Sequence, residues 1–205
     1  MSEQITVFIV DDEDEVRDSL KMLIESIGLA AETYESAQDY LQSFDATRAG
    51  CLILDVRMKG MSGLTLQEHL NKNEPLHPPI IIITGHGDVQ MAVRAVKSGA
   101  SEFLEKPFNE QQLLDSIHIA IEQDAEQRGK ALQLAEIKNR VNRLTEREKE
   151  VMELIVTGML NKNIASELNI SQSTVEAHRS KVMGKMESKT LSDLMRMIIS
   201  LRLQF

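Results

Sequence analysis

The chain has 205 residues, 42% of them hydrophobic, which is enough for one large domain or two modest ones. It has no apolar run near the length of about 18 residues that a transmembrane helix needs, so we expect no membrane partner. Its beginning lacks the basic and long apolar segments of a signal peptide, and a single cysteine, Cys51, cannot form an internal disulfide. These features favour a cytoplasmic protein.

The net charge of −9 is unevenly distributed along the chain. Residues 1–127 hold 9 Lys and Arg against 23 Asp and Glu, a balance of −14. Residues 128–205 hold 14 against 9, a balance of +5. An acidic front and a basic back indicate two domains with different partners, and the basic part is the one suited to a polyanion.

The front of the chain alternates strand-like and helical patterns. Short apolar runs predict five strands, whereas the segments between them carry apolar residues at helical spacing. This alternation predicts an α/β domain of flavodoxin-like size, with a doubly wound, five-stranded parallel sheet. The predicted strands are 6–10, 31–34, 51–54, 80–84 and 102–105.

The pattern becomes wholly helical after Pro107. We expect the first domain to cover 1–121, a helical linker to cover 122–140 and a small all-α domain to cover 141–205. The linker is almost entirely polar, so a disordered tether is the alternative. In the last part, Thr145 begins a capping-box pattern and Ser171 is a good N-cap. Four helices are predicted there, two of them arranged as a helix-turn-helix with its turn at 169–171.

Polar side chains stand at the ends of four predicted strands. Asp11 and Asp12 follow the first strand, Asp55 ends the third, and Thr84 and Lys106 close the fourth and fifth. The carboxyl ends of parallel strands share one edge of the sheet, where such folds bind ligands. Crowded carboxylates need a cation, and oxygen ligands favour Mg²⁺. Singly these residues are more often helix caps or solvated charges, but together they predict a magnesium site with an aspartyl phosphoacceptor.

The predicted helix 172–186 turns Val175, Val182 and Met186 inward and leaves a stripe of basic, small and polar residues outside. Lysine and arginine neutralise DNA phosphates, and hydroxyl groups near a helix N-terminus also bind them. An ordinary four-helix domain with a charged face is the alternative. The candidate DNA contacts are Lys162, Ser171, Ser173, Thr174, Glu176, Ala177, His178, Arg179, Ser180, Lys181 and Lys185.

Four segments resemble the receiver domain of bacterial two-component response regulators: IVDDE, LILDVRMKGMSG, IIITGHGD and GASEFLEKPF. The resemblance implies that a sensor histidine kinase phosphorylates Asp55. It also implies that Asp12 and Asp55 bind Mg²⁺ directly, that Asp11 acts largely through water, and that the backbone carbonyl of Arg57 is a further ligand. The family commonly has proline where this chain has Lys59.

The same resemblance assigns roles to the remaining strand ends. Thr84 and Lys106 would contact the phosphoryl oxygens. Phe103 matches the aromatic residue that swings inward when the threonine moves toward phosphate. The Lys106–Pro107 peptide bond is expected to be cis.

The segment LTEREKEVMELIVTGMLNKNIASELNISQSTVEAHRSKVMGKM resembles the LuxR-type output domain, over about residues 141–203. Both resemblances together are those of a FixJ/NarL-type transcriptional regulator in the bacterial cytoplasm. They imply that helix 172–186 enters the major groove of double-stranded promoter DNA and that phosphorylation promotes a homodimer. RNA polymerase is a further partner that the resemblance allows. Glu176 departs from the basic residue of many relatives, and direct reading of a cytosine amino group is our hypothesis for it.

Two other functions fit parts of the pattern. A phosphohydrolase of the haloacid-dehalogenase type would use Asp55 as nucleophile, but it needs a second aspartate where this chain has Arg57. We therefore expect no enzyme beyond magnesium-dependent self-phosphorylation and dephosphorylation. A DNA-binding module that works without phosphorylation would not need the acidic set, Thr84 or Lys106.

Overall fold

The computed structural model describes residues 4–85 and 89–203 and divides into two compact units, Met1–Arg128 and Gly129–Phe205. Within the described ranges, unit 1 alternates strands and helices, and unit 2 is entirely helical. The strands are β1 (Thr6–Val10), β2 (Ala30–Tyr34), β3 (Gly50–Asp55), β4 (Ile80–Thr84) and β5 (Glu102–Glu105). The helices are α1 (Asp14–Ser26), α2 (Ala37–Ser43), α3 (Gly63–Asn73), α4 (Val89–Lys97), α5 (Glu110–Asn142), α6 (Glu146–Val156), α7 (Asn161–Leu168), α8 (Gln172–Lys185) and α9 (Leu191–Arg202).

The five strands form one parallel sheet in the order β2-β1-β3-β4-β5. Successive side chains of a strand point to opposite faces, and here both faces are buried. Leu52 and Leu54 of β3 belong to one apolar cluster, whereas Cys51 and Ile53 belong to the other. This explains why the strands read as continuous apolar runs, and it confirms the expected doubly wound α/β fold.

Two glycines let the backbone pass close to β3. A Cβ at Gly50 would lie 1.7 Å from the carbonyl oxygen of Thr6 in β1, and the φ of +152° also favours glycine. A Cβ at Gly63 would lie 2.1 Å from the carbonyl oxygen of Asp55. Because Gly63 has none, the first turn of α3 packs directly against the carboxyl end of β3.

Helix α5 is continuous for 33 residues, so the segment expected as a linker is helical. Its first part packs Leu113, Ile117 and Ala120 on the sheet. Asp124 and Arg128, which lie in the polar stretch of the sequence, are also buried in unit 1. Apolar packing and then a buried ion pair therefore hold α5 along unit 1 as far as Arg128.

Unit 2 packs the end of α5 and α6–α9 around one apolar cluster. Thr145 and Glu148 form the predicted capping box at α6, and the hydroxyl of Ser171 caps α8 by accepting from the Thr174 N–H. Asn169 adopts a left-handed conformation at the end of α7, as a C-cap does. The expected small helical domain with a helix-turn-helix is confirmed. Among residues 4–85 and 89–203, the helices are all too short or too polar to cross a membrane.

Candidate functional site

The carboxyl edge of the sheet brings together the strand-end residues that the sequence singles out. Strands β1 and β4 both flank β3, and β5 flanks β4. Asp55, Thr84 and Asp11 are buried, Lys106 is half-buried, and Asp12 beside Asp11 is half-buried. The sheet order alone therefore collects side chains that are far apart in sequence at one place.

Hydrogen bonds join three of these side chains, those of Asp11, Asp55 and Lys106, into one cluster. The ammonium group of Lys106 donates to Oδ2 of Asp11 at 2.8 Å and to Oδ1 of Asp55 at 3.1 Å. The other carboxylate oxygen of Asp55 accepts from the Arg57 N–H at 2.6 Å, and Oδ1 of Asp11 accepts from the Glu13 N–H at 2.9 Å. Both carboxylates are thus held in fixed orientations, with one ammonium group shared between them.

Burial and charge compete in this cluster. Burial raises the pKa of Asp55, and the charge of Asp11 adds to that effect, although the Lys106 ammonium opposes it. Burial alone would lower the pKa of Lys106, but its bonds to Asp11 and Asp55 outweigh burial and raise it. The site therefore favours the charged form of Lys106, whereas ionisation of the Asp55 carboxylate carries a cost.

The expected metal ligands are only partly assembled. Within residues 4–85 and 89–203, no three His, Cys, Asp or Glu side chains are grouped closely enough to hold a metal ion. An ammonium group, that of Lys106, neutralises Asp11 and Asp55 instead. The carboxylate oxygens of Asp11 and Asp55 are nevertheless buried, and such oxygens suit a hard divalent cation.

Thr84 and Phe103 are the residues predicted to act as the switch. Thr84 is buried at the end of β4, and Phe103 is half-buried in β5, where it packs against one apolar cluster of the sheet. The Lys106–Pro107 bond is cis, as expected. The part of the IIITGHGD motif at 86–88 lies outside the described residues.

The second candidate site is the outer face of α8. The residues proposed to meet DNA differ in exposure, because α8 packs Val175 and Val182 inward at 0% exposure. His178, Arg179 and Lys185 are half-buried. Those that are exposed are Lys162, Ser171, Ser173, Thr174, Glu176, Ala177, Ser180 and Lys181.

Some of these polar groups already have partners within unit 2. Lys185 donates to the carboxylate of Glu148 at 2.6 Å and to the carbonyl of Arg143 at 3.2 Å. The carboxylate of Glu148 is buried, and it also accepts from the Thr145 N–H at 2.8 Å. The charge of Lys185 is therefore neutralised inside the unit, whereas Lys181 is exposed one turn earlier on the helix.

Sequence reasoning missed a buried glutamine, Gln67 of α3. Gly63, Leu66, Gln67 and Leu70 are the buried residues of that helix. They lie at the i, i+3, i+4, i+7 spacing of an inward stripe. A glutamine at a stripe position was the available signal, because an amide buried there needs hydrogen-bond partners.

Comparisons with known proteins match both parts of the chain. A family model described as the response regulator receiver domain matches residues 7–118, and one described as bacterial regulatory proteins, luxR family, matches 142–198. Nodulation protein W of Bradyrhizobium diazoefficiens is 44% identical over 196 residues, which cover 96% of this chain and 86% of that protein.

Two further similarities also span both units. Transcriptional regulatory protein FixJ of Azorhizobium caulinodans is 42% identical over 199 residues, covering 97% of this chain and 94% of that one. The solved structure of response regulator StyR has a TM-score of 0.83 at 42% identity, covering 95% of this chain and 98% of that one. The chain belongs to the transcriptional response regulators that join a receiver domain to a luxR-type DNA-binding domain.

Proposed function

We propose that Asp55 is the phosphoacceptor of a two-component system and that a sensor histidine kinase is its donor. A carboxylate oxygen of Asp55 attacks the phosphorus of a phosphohistidine, an O–P bond forms, the N–P bond breaks, and its electron pair stays on the histidine nitrogen. The observation that carries the proposal is the Asp55 carboxylate itself. It lies at the end of the central strand β3, held by the Lys106 ammonium and the Arg57 N–H.

Lys106 and Thr84 then bind the phosphoryl oxygens. An ammonium group that already bridges two carboxylates can pair with the more highly charged phosphoryl group. The Thr84 hydroxyl donates to another phosphoryl oxygen from the end of β4. Phe103 rotates inward as Thr84 moves, which changes the surface formed by α4 and β5.

Mg²⁺ is the cofactor we propose, held by Asp11, Asp12, Asp55 and the backbone carbonyl of Arg57. Buried carboxylate oxygens support it, because such oxygens suit a hard divalent cation. When bound, the ion offsets the negative charge of the carboxylates and of the phosphoryl group. Chemistry at Asp55 is limited to self-phosphorylation and dephosphorylation.

The output is binding to double-stranded promoter DNA in the bacterial cytoplasm. Helix α8 enters the major groove, where Glu176 reads a base and Lys162 and Lys181 neutralise phosphates. Phosphorylation promotes a homodimer, so that two DNA-binding domains meet paired half-sites. In this proposal the receiver covers 1–121, the linker 122–140 and the DNA-binding domain 141–205, and RNA polymerase is a further partner.

The test is phosphorylation of the full chain by a small-molecule phosphodonor with Mg²⁺. We expect a mass gain of one phosphoryl group, none in Asp55→Asn, and tighter dimerisation and promoter binding with the donor present. A chain that dimerises and binds DNA equally without the donor would be a constitutive DNA-binding module. Continuous turnover of the phosphodonor with no stable mass gain would identify a phosphohydrolase.

A further inference from the structure

Polar side chains of α3 hold the C-terminal turn of α4. Nε2 of Gln67 donates to the carbonyl oxygens of Ala95 at 3.0 Å and Ser98 at 3.1 Å. Nδ2 of Asn71 donates to the same Ser98 oxygen at 2.6 Å. Gln67 is 1% exposed, so its amide is committed to these two carbonyls and is shielded from water. Carbonyls at a helix C-terminus lack partners within the helix, and a buried donor from a neighbouring helix satisfies them.

Apolar packing holds α4 only weakly. Ala95 is its one buried residue within Val89–Lys97, and Met91 is half-buried against the same apolar cluster. Val89, Val93 and Val96 are 80%, 46% and 55% exposed, so most of the helix's large side chains contribute little burial. An ion pair between Glu68 and Arg94 at 2.5 Å also joins α3 to α4, but both side chains are about half exposed and such pairs stabilise little. The buried amide of Gln67 is therefore the most specific restraint on where the C-terminal turn of α4 lies.

We propose that Gln67 is a positioning residue that latches α4 in its resting position. When the latch yields, α4 shifts and its valine-rich face becomes competent to pair with a second copy of the chain. The second step rests on the proposed function, in which phosphorylation of Asp55 changes the α4 and β5 surface. The first step does not, because the latch acts on α4 without any phosphodonor.

The test compares the full chains of the native protein, Gln67→Met and the control Gln42→Met. Methionine has the length of glutamine but cannot donate. Both carbonyls keep a partner in Gln67→Met, because Ala95 also accepts from the Ala100 N–H at 3.0 Å and Ser98 from Asn71. The variant should therefore fold. Gln42 is exposed on α2 and takes no part in this contact. Three quantities are measured: hydrogen exchange of amides 94–100, the dimer fraction by sedimentation, and the mass gain with phosphodonor and Mg²⁺.

We expect exchange at amides 94–100 to rise about fivefold or more in Gln67→Met without phosphodonor, and the dimer fraction to rise with it. Gln42→Met should match the native chain in both. Exchange equal to that of the control overturns the latch. Faster exchange with an unchanged dimer fraction overturns its role in positioning the dimerisation surface. A native chain that gains no phosphoryl mass refutes the proposed function, while the exchange result still decides the latch.

Discussion

Strand β3 has a buried cluster of acidic and basic side chains at each of its ends. The two clusters differ in the cation that neutralises the carboxylates. At its start, Oδ2 of Asp124 accepts from the Gly50 N–H at 2.9 Å and from Arg128 at 2.7 Å. The other two guanidinium nitrogens of Arg128 donate to the carbonyls of Ala46 and Arg48, each at 2.6 Å. At its end, Asp11 and Asp55 share one ammonium group.

Similar chemistry serves two purposes at the two ends of β3. A guanidinium group has a rigid fork of donors, and at the start of β3 this fork ties helix α5 to the backbone of the 46–48 segment. An ammonium group is a compact charge on a flexible stem, and in the proposed function Lys106 exchanges a carboxylate for a phosphoryl group. We therefore regard the Asp124–Arg128 pair as structural and the cluster at Asp55 as exchangeable.

The largest effect should come from Arg128→Met. It leaves the Asp124 carboxylate buried without its cation and removes two bonds to backbone carbonyls. We expect the free energy of unfolding of unit 1 to fall by about 3–5 kcal/mol, as for other broken buried ion pairs. Both tyrosines of the chain, Tyr34 and Tyr40, lie in unit 1, and there is no tryptophan. Tyrosine fluorescence during urea unfolding therefore reports this unit separately.

Arg94→Met is a matched control for this experiment, because Arg94 forms an exposed ion pair on the same unit. It should change the urea midpoint little. Equal losses of unfolding free energy in the two variants would mean that burial of the Arg128 ion pair adds no stability. The Asp124–Arg128 pair would then not be a structural anchor.

The side-chain contacts at the two ends of β3 also differ in how far they can be predicted from the sequence. Asp55 and Lys106 stand where apolar strands stop, so strand periodicity and the parallel topology were enough to predict their meeting. Asp124 and Arg128 lie four residues apart in a polar helical stretch, where such a pair is normally solvent-exposed. Their burial depends on how α5 docks against the segment before β3, a tertiary contact that no local pattern encodes.

The DNA-binding unit shows the same limit at Lys185. The helical stripe correctly placed this lysine on α8, but its partner Glu148 is 37 residues away in α6. Periodicity identifies the face that a residue occupies and not the charge that it meets across a helix contact. Exposed positions such as Lys181 stay predictions from the stripe and the family resemblance.

Lys185→Met should produce the next largest effect. Losing a hydrogen bond to a charged, buried carboxylate costs about 2 kcal/mol, so unit 2 should unfold at lower urea, as read from the NMR signals of its residues. We expect DNA binding to weaken because unit 2 is less stable. The salt dependence of binding should not change, because the Lys185 ammonium group is held by Glu148 and does not neutralise a phosphate.

Lys181→Met is the matched comparison from the exposed part of the same helix. It should leave the urea midpoint of unit 2 almost unchanged and reduce the slope of log K against log salt by about 0.9, the effect of one lost phosphate contact. A reduced slope in Lys185→Met as well would show that Lys185 leaves Glu148 when DNA binds.

Glu148 gives unit 2 a dependence on pH. The bond from Lys185 lowers the pKa of Glu148 from its ordinary 4.5 to about 2, and the Thr145 N–H adds to this effect. A lowered pKa means that the folded state favours the ionised form, so this stabilisation is complete above pH 4.5 and is lost as the pH falls toward 2. We expect the urea midpoint of unit 2 to fall over that range. In Glu148→Gln the urea midpoint should fall less over the same pH range. A fall equal to that of the native chain would mean that other carboxylates cause it.

A change in stability of opposite sign should come from Asp55→Asn. Burial raises the pKa of Asp55, so its ionised form costs folding free energy at neutral pH. Asparagine removes that charge, can still accept from the Arg57 N–H, and leaves Lys106 paired with Asp11. We expect the tyrosine-monitored midpoint to stay level or to rise by at most about 1 kcal/mol in unfolding free energy, while the phosphoryl mass gain disappears.

Asp124→Asn makes the same chemical change at the other end of β3 and should lower the midpoint, because it weakens the anchor of Arg128. Opposite signs for one substitution at the two ends of a single strand would separate a charge kept for function from a charge kept for structure. If Asp55→Asn destabilises unit 1 as much as Asp124→Asn, the carboxylate of Asp55 also holds the fold together. The loss of phosphorylation in that variant would then have to be separated from its loss of stability.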